Sequence, residues 1–273
     1  MSHPAEPVGL DLDARYAAAC ELAQAAAERG MTYYRSRNEL TVMHKGGDMQ
    51  DVVSIADKAL EDFIRAELLT RFPEDGFVGE EGGHANLEAR CVWVIDPIDG
   101  TRCFVNGLHN WCVSIGLMVD GKPYLGAIAD PNHQELFRGR IGHGAFVNDT
   151  PLQVHPAQHV REGVVGAGTT HRPGKENFLP FLQGLLDEGG MFFRNGSGAL
   201  MTAYVAAGRL IGYYETHLKS WDCLAGVVLL AETGGRINDF FRNDGLLEGN
   251  PFLAACPGVY EQLAELIGPS LDA

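Results

Sequence analysis

The chain has 273 residues, 45% of them apolar, 34 glycines and a formal charge of −15. That length can bury a substantial core, as one large domain or as two lobes. The acidic balance excludes a general nucleic-acid binder, which needs basic surface, and repels any anionic substrate unless cations are bound locally.

Residues from about Asp11 to Arg35 read as a long alanine-rich helix, with Tyr16, Leu22, Ala26 and Met31 near one face. Glu39 to Met43 is β-like. Lys45-Gly46-Gly47-Asp48-Met49-Gln50-Asp51 is a polar loop of the kind that carries function. Val52 to Asp57 opens a second helix, with Ser54 as N-cap and Asp57 in the first turn, where the helix dipole favours an anion. Leu60, Phe63, Ile64, Leu68 and Phe72 recur at helical spacing along it.

Phe77-Val78-Gly79 is a short strand running into Glu80-Glu81-Gly82-Gly83, and residues 84–90 are a polar connection. A central strand, Cys91 to Ile95, follows. Thr101 to Asn106 is a short helical turn. Trp111 to Val119 and Tyr124 to Ile128 form a hairpin about Asp120-Gly121, and Glu135 to Gly139, Gly144 to Val147 and Leu152 to Val154 continue the meander. The second half alternates. Strands are predicted at Gly163 to Ala167, Met191 to Arg194, Ile211 to Glu215 and Phe252 to Ala255. Helices are predicted at Asn177 to Leu186, from Gly196 through Ala207, from Ser220-Trp221-Asp222 through Thr233, and at Val259 to Ile267. The pattern is α+β. No internal repeat or linker interrupts it. The six cysteines, Cys20, Cys91, Cys103, Cys112, Cys223 and Cys256, form no Cys-x-x-Cys pair and read as free thiols in a reducing cytoplasm. No run approaches the ~18 apolar residues of a membrane span, and Met1 to Pro7 lacks the regions of a signal peptide, so neither is expected.

The chemistry concentrates after the central strand, in Asp96-Pro97-Ile98-Asp99-Gly100-Thr101. Two carboxylates at the end of an apolar strand repel each other unless something compensates their charge. A hard divalent cation with oxygen ligands does so. Gly100 lets backbone approach a ligand, and free N–H groups opening a helix suit a phosphate. Asp-Pro followed by Asp-Gly also suits a plain pair of turns. Beside this pair, Asp57, Glu80 and Asp222 each lie at a strand end or a helix start, where sites of layered α/β proteins gather. Converged, these acids make an oxygen-only cage for two or three Mg²⁺ ions. Zinc is disfavoured, because no His or Cys cluster has ligand spacing.

Gly79-Glu80-Glu81, Trp93 to Thr101, and Trp221-Asp222 with Ala225-Gly226 and Glu232-Thr233-Gly234-Gly235 resemble the signature blocks of the inositol monophosphatase family, and Asp51 to Asp57 resembles a further block. The resemblance implies a single layered αβαβα sandwich over residues 1–273, with an N-terminal α+β lobe (about 1–155) and a C-terminal α/β lobe (about 156–273). It further implies a Mg²⁺-dependent, lithium-sensitive phosphomonoesterase, with a homodimer as the expected assembly; the free cysteines make a cytoplasmic location the expectation. By block, Glu80, Asp96 and the Ile98 carbonyl would hold a first metal, Asp96, Asp99 and Asp222 a second, and Asp57 with Glu80 a third. Thr101 and Glu80 would orient and deprotonate the attacking water. The Gly100 and Thr101 N–H groups would take the phosphate. Asp99, Asp222, Glu215 and the turn Gly196-Ser197-Gly198-Ala199 would face the substrate's hydroxyl groups, and Lys45 matches a lysine near the metals.

Two departures bear on substrate. Arg102-Cys103-Phe104 looks more like relatives acting on histidinol phosphate or 3′-phosphoadenosine 5′-phosphate, whereas Tyr213-Tyr214-Glu215 and Ser220-Trp221-Asp222 look inositol-type. Thr169 to Lys175 matches no block, and its cations are read as a solvated loop. The expected substrate is a small polyol phosphate, inositol-1-phosphate or a related sugar phosphate. Histidinol phosphate, 3′-phosphoadenosine 5′-phosphate and fructose-1,6-bisphosphate are the alternatives, and a regulatory protein acting through partners is the alternative from another class.

Overall fold

The computed structural model describes residues 7–39, 42–44, 52–169 and 175–271. Helix α1 (Leu12–Arg35) opens on Asp11, whose side chain accepts the Ala14 N–H at 2.9 Å, the N-cap arrangement that satisfies an otherwise orphan donor. Its alanines let it pack closely on the sheet below, and Arg15 forms a buried pair with Asp75 (2.7 and 2.8 Å) that also accepts from the Trp93 indole. Strands β1 (Val42–His44) and β2 (Val52–Ser54) pair antiparallel. Val52 to Ser54 is therefore strand, and the helix read from Val52 begins at Ile55 as α2 (Ile55–Arg71), with Asp57 still in its first turn. The first-turn acid and the helical spacing were the reliable signals; β-branched Val52 and Val53 favour a strand when a partner is present.

β3 (Gly76–Gly79) is followed by β4 (Gly83–Ala85), a short antiparallel edge within the segment read as polar connection. β5 (Cys91–Asp99) runs past Ile95 to the second carboxylate, and α3 (Thr101–Val105) follows it. β6 (Cys112–Val119) and β7 (Lys122–Asp130) form the expected hairpin, then come β8 (Glu135–Arg140), β9 (Ala145–Val147) and β10 (Thr150–Pro151). Leu152 to Val154 lies outside any strand. The second half gives β11 (Val164–Gly168), α4 (Phe178–Asp187), β12 (Met191–Phe193), α5 (Gly198–Ala206), β13 (Gly212–Leu218), α6 (Leu224–Thr233), β14 (Arg236–Ile237), β15 (Asn250–Ala255) and α7 (Tyr260–Ile267). Ser220–Asp222 forms its own 3₁₀ turn ahead of α6 rather than the first turn of that helix. Trp221 is only partly buried, with Lys219 over its ring at 5.8 Å.

The strands make an eight-stranded mixed sheet, β10-β9-β8-β7-β6-β5-β3-β4, and a five-stranded one, β12-β11-β13-β15-β14, beside the β1–β2 pair. Side-chain alternation sorts them into layers. Trp93, Ile95, Ile115 and Leu117 face α1 and α2 on one side of the large sheet. α5 and α6 fill the space between the sheets, with Tyr213, Phe252 and Ala254 closing that layer from the small sheet. Tyr214, Leu253 and Ala255 point the other way, onto α4 and α7. The order α, β, α, β, α is the layered sandwich expected from the sequence. No helix among the described residues is long and apolar enough to cross a membrane.

Candidate active site

β3 and β5 are parallel neighbours, so both deliver their C-terminal ends to one edge. Glu80 leaves the end of β3, and Asp96 and Asp99 end β5. In a regular strand, residues three apart face opposite sides. Here the β5–β6 register slips: Asp96 is opposite Ser114 and Asp99 is opposite Cys112, so Pro97 and Ile98 together face Val113. This bulge turns Ile98 toward Tyr34, Ala56 and Leu60 and returns Asp99 to the side of Asp96. Pro97, which has no N–H to lose, is tolerated at a bulge. The Asp222 turn approaches from the C-terminal half. One carboxylate oxygen from each of Asp96, Asp99 and Asp222 lies within 4.8 Å of the others.

The acids differ in how they are satisfied. Asp96 is 2% exposed, accepts the Ile98 N–H at 3.0 Å, and is held well above the usual carboxylate range, first by burial and then by the charges of Glu80, Asp99, Asp222 and Asp57. The Glu80 and Asp57 charges thus bear on the same centre. Asp99 is buried too, but it sits at the start of α5. The Ser197 hydroxyl donates to its Oδ2 at 2.5 Å, the Ala199 N–H to the same oxygen at 2.6 Å, and the Gly198 N–H to Oδ1 at 3.2 Å. Burial pushes its pKa up to about 6, against the pull of these three bonds. Asp222 is half-buried and accepts the Lys219 N–H at 3.1 Å.

Asp57 is fully buried, and the Thr101 hydroxyl lies 3.0 Å from both its Oδ1 and the Ile98 carbonyl. Thr101 is therefore fixed by two acceptors. Gly100 precedes it with φ +92°, and a Cβ there would stand 2.6 Å from the Asn110 carbonyl, so only glycine fits. Three clustered carboxylates, two of them buried, with no imidazole or thiolate ligand in the cluster, suit a hard divalent cation. Burial first and the neighbouring acids second raise the Asp96 pKa, a cost that a bound cation would offset.

A cleft of about 140 Å³ opens from these acids, lined among others by Asp99, Arg194, Gly196, Ser197, Glu215 and Asp222. It is smaller than the ~300–1,000 Å³ of drug-sized ligand pockets. Glu215 is 7% exposed and accepts from the Tyr213 hydroxyl at 3.0 Å. Of the turn expected to face substrate, Gly196, Ser197 and Gly198 line the cleft, whereas Ala199 is fully buried with its N–H spent on Asp99. Lys45 falls outside the described residues. Two lining residues had no strong signal in the sequence. Arg194 directly precedes the Asn195-Gly196 turn, and its guanidinium donates to the Thr169 carbonyl at 3.0 Å. Tyr213 was read in a strand and in an inositol-type segment, with no role of its own. Arg102 is exposed and outside the cleft lining.

A family model described as the inositol monophosphatase family matches residues 11–271. An inositol-1-monophosphatase from Mesorhizobium japonicum is 36% identical over 92% of this chain and 96% of its own length. A Nus factor SuhB from Haemophilus influenzae is 32% identical over 88% and 90%. Among solved structures, the extragenic suppressor protein suhB from Bartonella henselae superposes with a TM-score of 0.84 at 33% identity, covering 91% of this chain and 96% of that one. The inositol monophosphatase from Anabaena does so with a TM-score of 0.79 at 30% identity, covering 96% and 99%. The match runs through all of the acids described above, and the chain belongs to the inositol monophosphatase family.

Proposed function

We propose that this phosphomonoesterase is Mg²⁺-dependent and hydrolyses a small polyol phosphate, inositol-1-phosphate or a related sugar phosphate. The meeting of Asp96, Asp99 and Asp222 within 4.8 Å carries the reading. Glu80, Asp96, Asp99, Asp222 and the Ile98 carbonyl would hold two ions, with Asp57 assisting a third. Bound Mg²⁺ would neutralise the phosphoryl group and make water a better nucleophile. Thr101, pinned by Asp57 and Ile98, would orient that water, and Glu80 would accept its proton. The Gly100 and Thr101 N–H groups would face the phosphate oxygens. Water attacks phosphorus in line, the ester P–O bond breaks, and the alcohol leaves with a proton from solvent. Asp222, Glu215, Ser197 and the Gly196 and Gly198 backbone would contact the substrate's hydroxyl groups.

A buried carboxylate in a small cleft favours a polyol, whose hydroxyls donate to it, over a nucleotide. Arg102, the feature that points to histidinol phosphate or 3′-phosphoadenosine 5′-phosphate, lies off the cleft. Arg194 in the lining is the one observation that favours a second anionic group. The test is phosphate release, with Mg²⁺ and with chelator, from inositol-1-phosphate, fructose-1,6-bisphosphate, histidinol phosphate and 3′-phosphoadenosine 5′-phosphate. The expected result is Mg²⁺-dependent release highest from inositol-1-phosphate. Preference for the bisphosphate would make Arg194 the better guide. Metal binding with release from none would favour the regulatory reading, which the relatives named Nus factor also support.

Glu215→Gln is expected to raise KM for the polyol phosphate about tenfold, or ~1.4 kcal/mol, with little change on an aryl phosphate that has no hydroxyls. Equal effects on both would remove Glu215 from substrate recognition. The homodimer finds support in β12, an edge strand whose Met191, Phe192 and Phe193 are all exposed; light scattering would read its mass. All six cysteines are free, as a cytoplasmic enzyme's would be.

A further inference from the structure

Helix α2 carries a second buried acid, Glu61, one turn beyond Asp57 and so on the same face. It is 2% exposed. None of the metal or substrate roles above uses it. Its Oε2 accepts the Glu81 N–H at 2.8 Å, and the Gly82 N–H also donates to its carboxylate. A Cβ on Gly79 would stand 2.5 Å from Oε2, and a Cβ on Gly82 would stand 2.4 Å from Oε1. The carboxylate is thus wedged into the turn 79–82, touching it from both glycines and bonded to two of its N–H groups. That turn is what carries Glu80 off the end of β3.

The placement is costly. Burial raises the pKa of Glu61, and the charge of Glu80 raises it further, with only the two N–H bonds and Arg65 opposing. An uncharged residue would avoid that cost if filling space were the only need. Two converging N–H donors, however, are best met by a group that presents only acceptors. A carboxylate does so with both oxygens, whereas an amide brings an NH₂ donor into a turn that is rich in donors. We infer that Glu61 is a positioning residue that holds the Glu80 turn against the acid cluster and thereby sets the affinity of the centre for divalent cations. One helix face then serves two ends: Asp57 holds Thr101, and Glu61 holds Glu80.

The inference rests on the metal-dependent reading above, and the test separates the two. Mg²⁺ binding is measured by titration calorimetry on the full chain, together with the Mg²⁺ dependence of phosphate release. Glu61→Gln is expected to weaken Mg²⁺ binding about tenfold and to raise the Mg²⁺ concentration for half-maximal rate to match. At saturating Mg²⁺, kcat should stay within about threefold. In a Glu80→Gln background the same substitution should add little, because the residue it acts through is already altered. Unchanged Mg²⁺ affinity in folded Glu61→Gln, or a full additive loss on top of Glu80→Gln, overturns the positioning role and leaves the enzyme reading standing. No Mg²⁺ binding by the unaltered protein overturns the metal-dependent reading itself. Gly82→Ala, on the exposed side of the turn, is the second variant: its methyl group displaces the Glu61 carboxylate without removing it, and should reproduce the weakened binding. Normal affinity there also counts against the inference.

Discussion

Asp96→Asn should abolish turnover while leaving the metal-free protein as stable as before, or more so. The activity loss is expected to be at least ~10³-fold, about 4 kcal/mol of barrier, because Asp96 stands where the fields of all the other acids meet. The stability effect has the opposite sign. Without cations, Asp96 is a buried carboxylate among like charges, and a neutral amide of the same shape relieves that repulsion. For a chain this long, each kcal/mol relieved moves Tm by roughly 2–4 °C. Added Mg²⁺ should raise Tm of the unaltered protein and do little for the variant. Calorimetric melts with chelator and with Mg²⁺, beside an activity assay, read both. Near-normal Mg²⁺-dependent turnover in Asp96→Asn would remove the residue from the site.

The same cluster predicts an unusual pH dependence of stability. Asp99 has its pKa pushed up to about 6 in the folded protein, from an ordinary 3.8, and Asp96 is shifted in the same direction. Between those values the folded state holds more protons than the unfolded one, so stability must fall as pH rises through the window. The metal-free protein is thus expected to lose stability from about pH 4 to pH 6 and somewhat above, by the order of a few kcal/mol. Asp120 and Glu21 act the other way, since Arg90 and Arg71 hold them below the usual range. Their contribution is lost only as pH falls below about 4. With saturating Mg²⁺ the ionised ligands are favoured, and the slope over the window should flatten or reverse. Melts at intervals from pH 4.5 to 8, with chelator and with Mg²⁺, test this. A chelated protein that gains stability steadily across the window would contradict the raised pKa values.

The layers of the fold were legible because their signals are local and repeated. α1, α2 and α7 show helical spacing, the β6–β7 hairpin is marked by Asp120-Gly121, and α6 ends on Gly234 with left-handed backbone. β4, β14 and the Ser220–Asp222 turn were not legible, since two- or three-residue elements exist only through partners distant in sequence. The clustered acids stood out because charge at the end of an apolar strand demands compensation. Glu61 did not, because an acid amid helical spacing reads as an ordinary surface residue until the 79–82 turn is seen resting on it. Arg194 was hidden for the related reason that a cation just past an exposed edge strand is common, and only the cleft gives it meaning. The Asp99–α5 contact joins residues a hundred positions apart and has no trace in local pattern.

The extra residue in β5 makes register itself a catalytic parameter. Asp96 and Asp99 are three residues apart, and only the bulge keeps both on one face. The same residues paired with β6 in unbroken alternation would turn Asp99 to the side occupied by α1 and α2, away from Asp222. One residue inserted between the two acids, with the bulge still one residue deep, would turn Asp99 the same way, whereas deleting Pro97 removes the bulge and leaves both acids on one face. The two sheets and their helices owe little to that single step, so the architecture can survive a change that ends the chemistry. Reading frame along the strand, as much as residue identity, decides whether this sandwich is an enzyme.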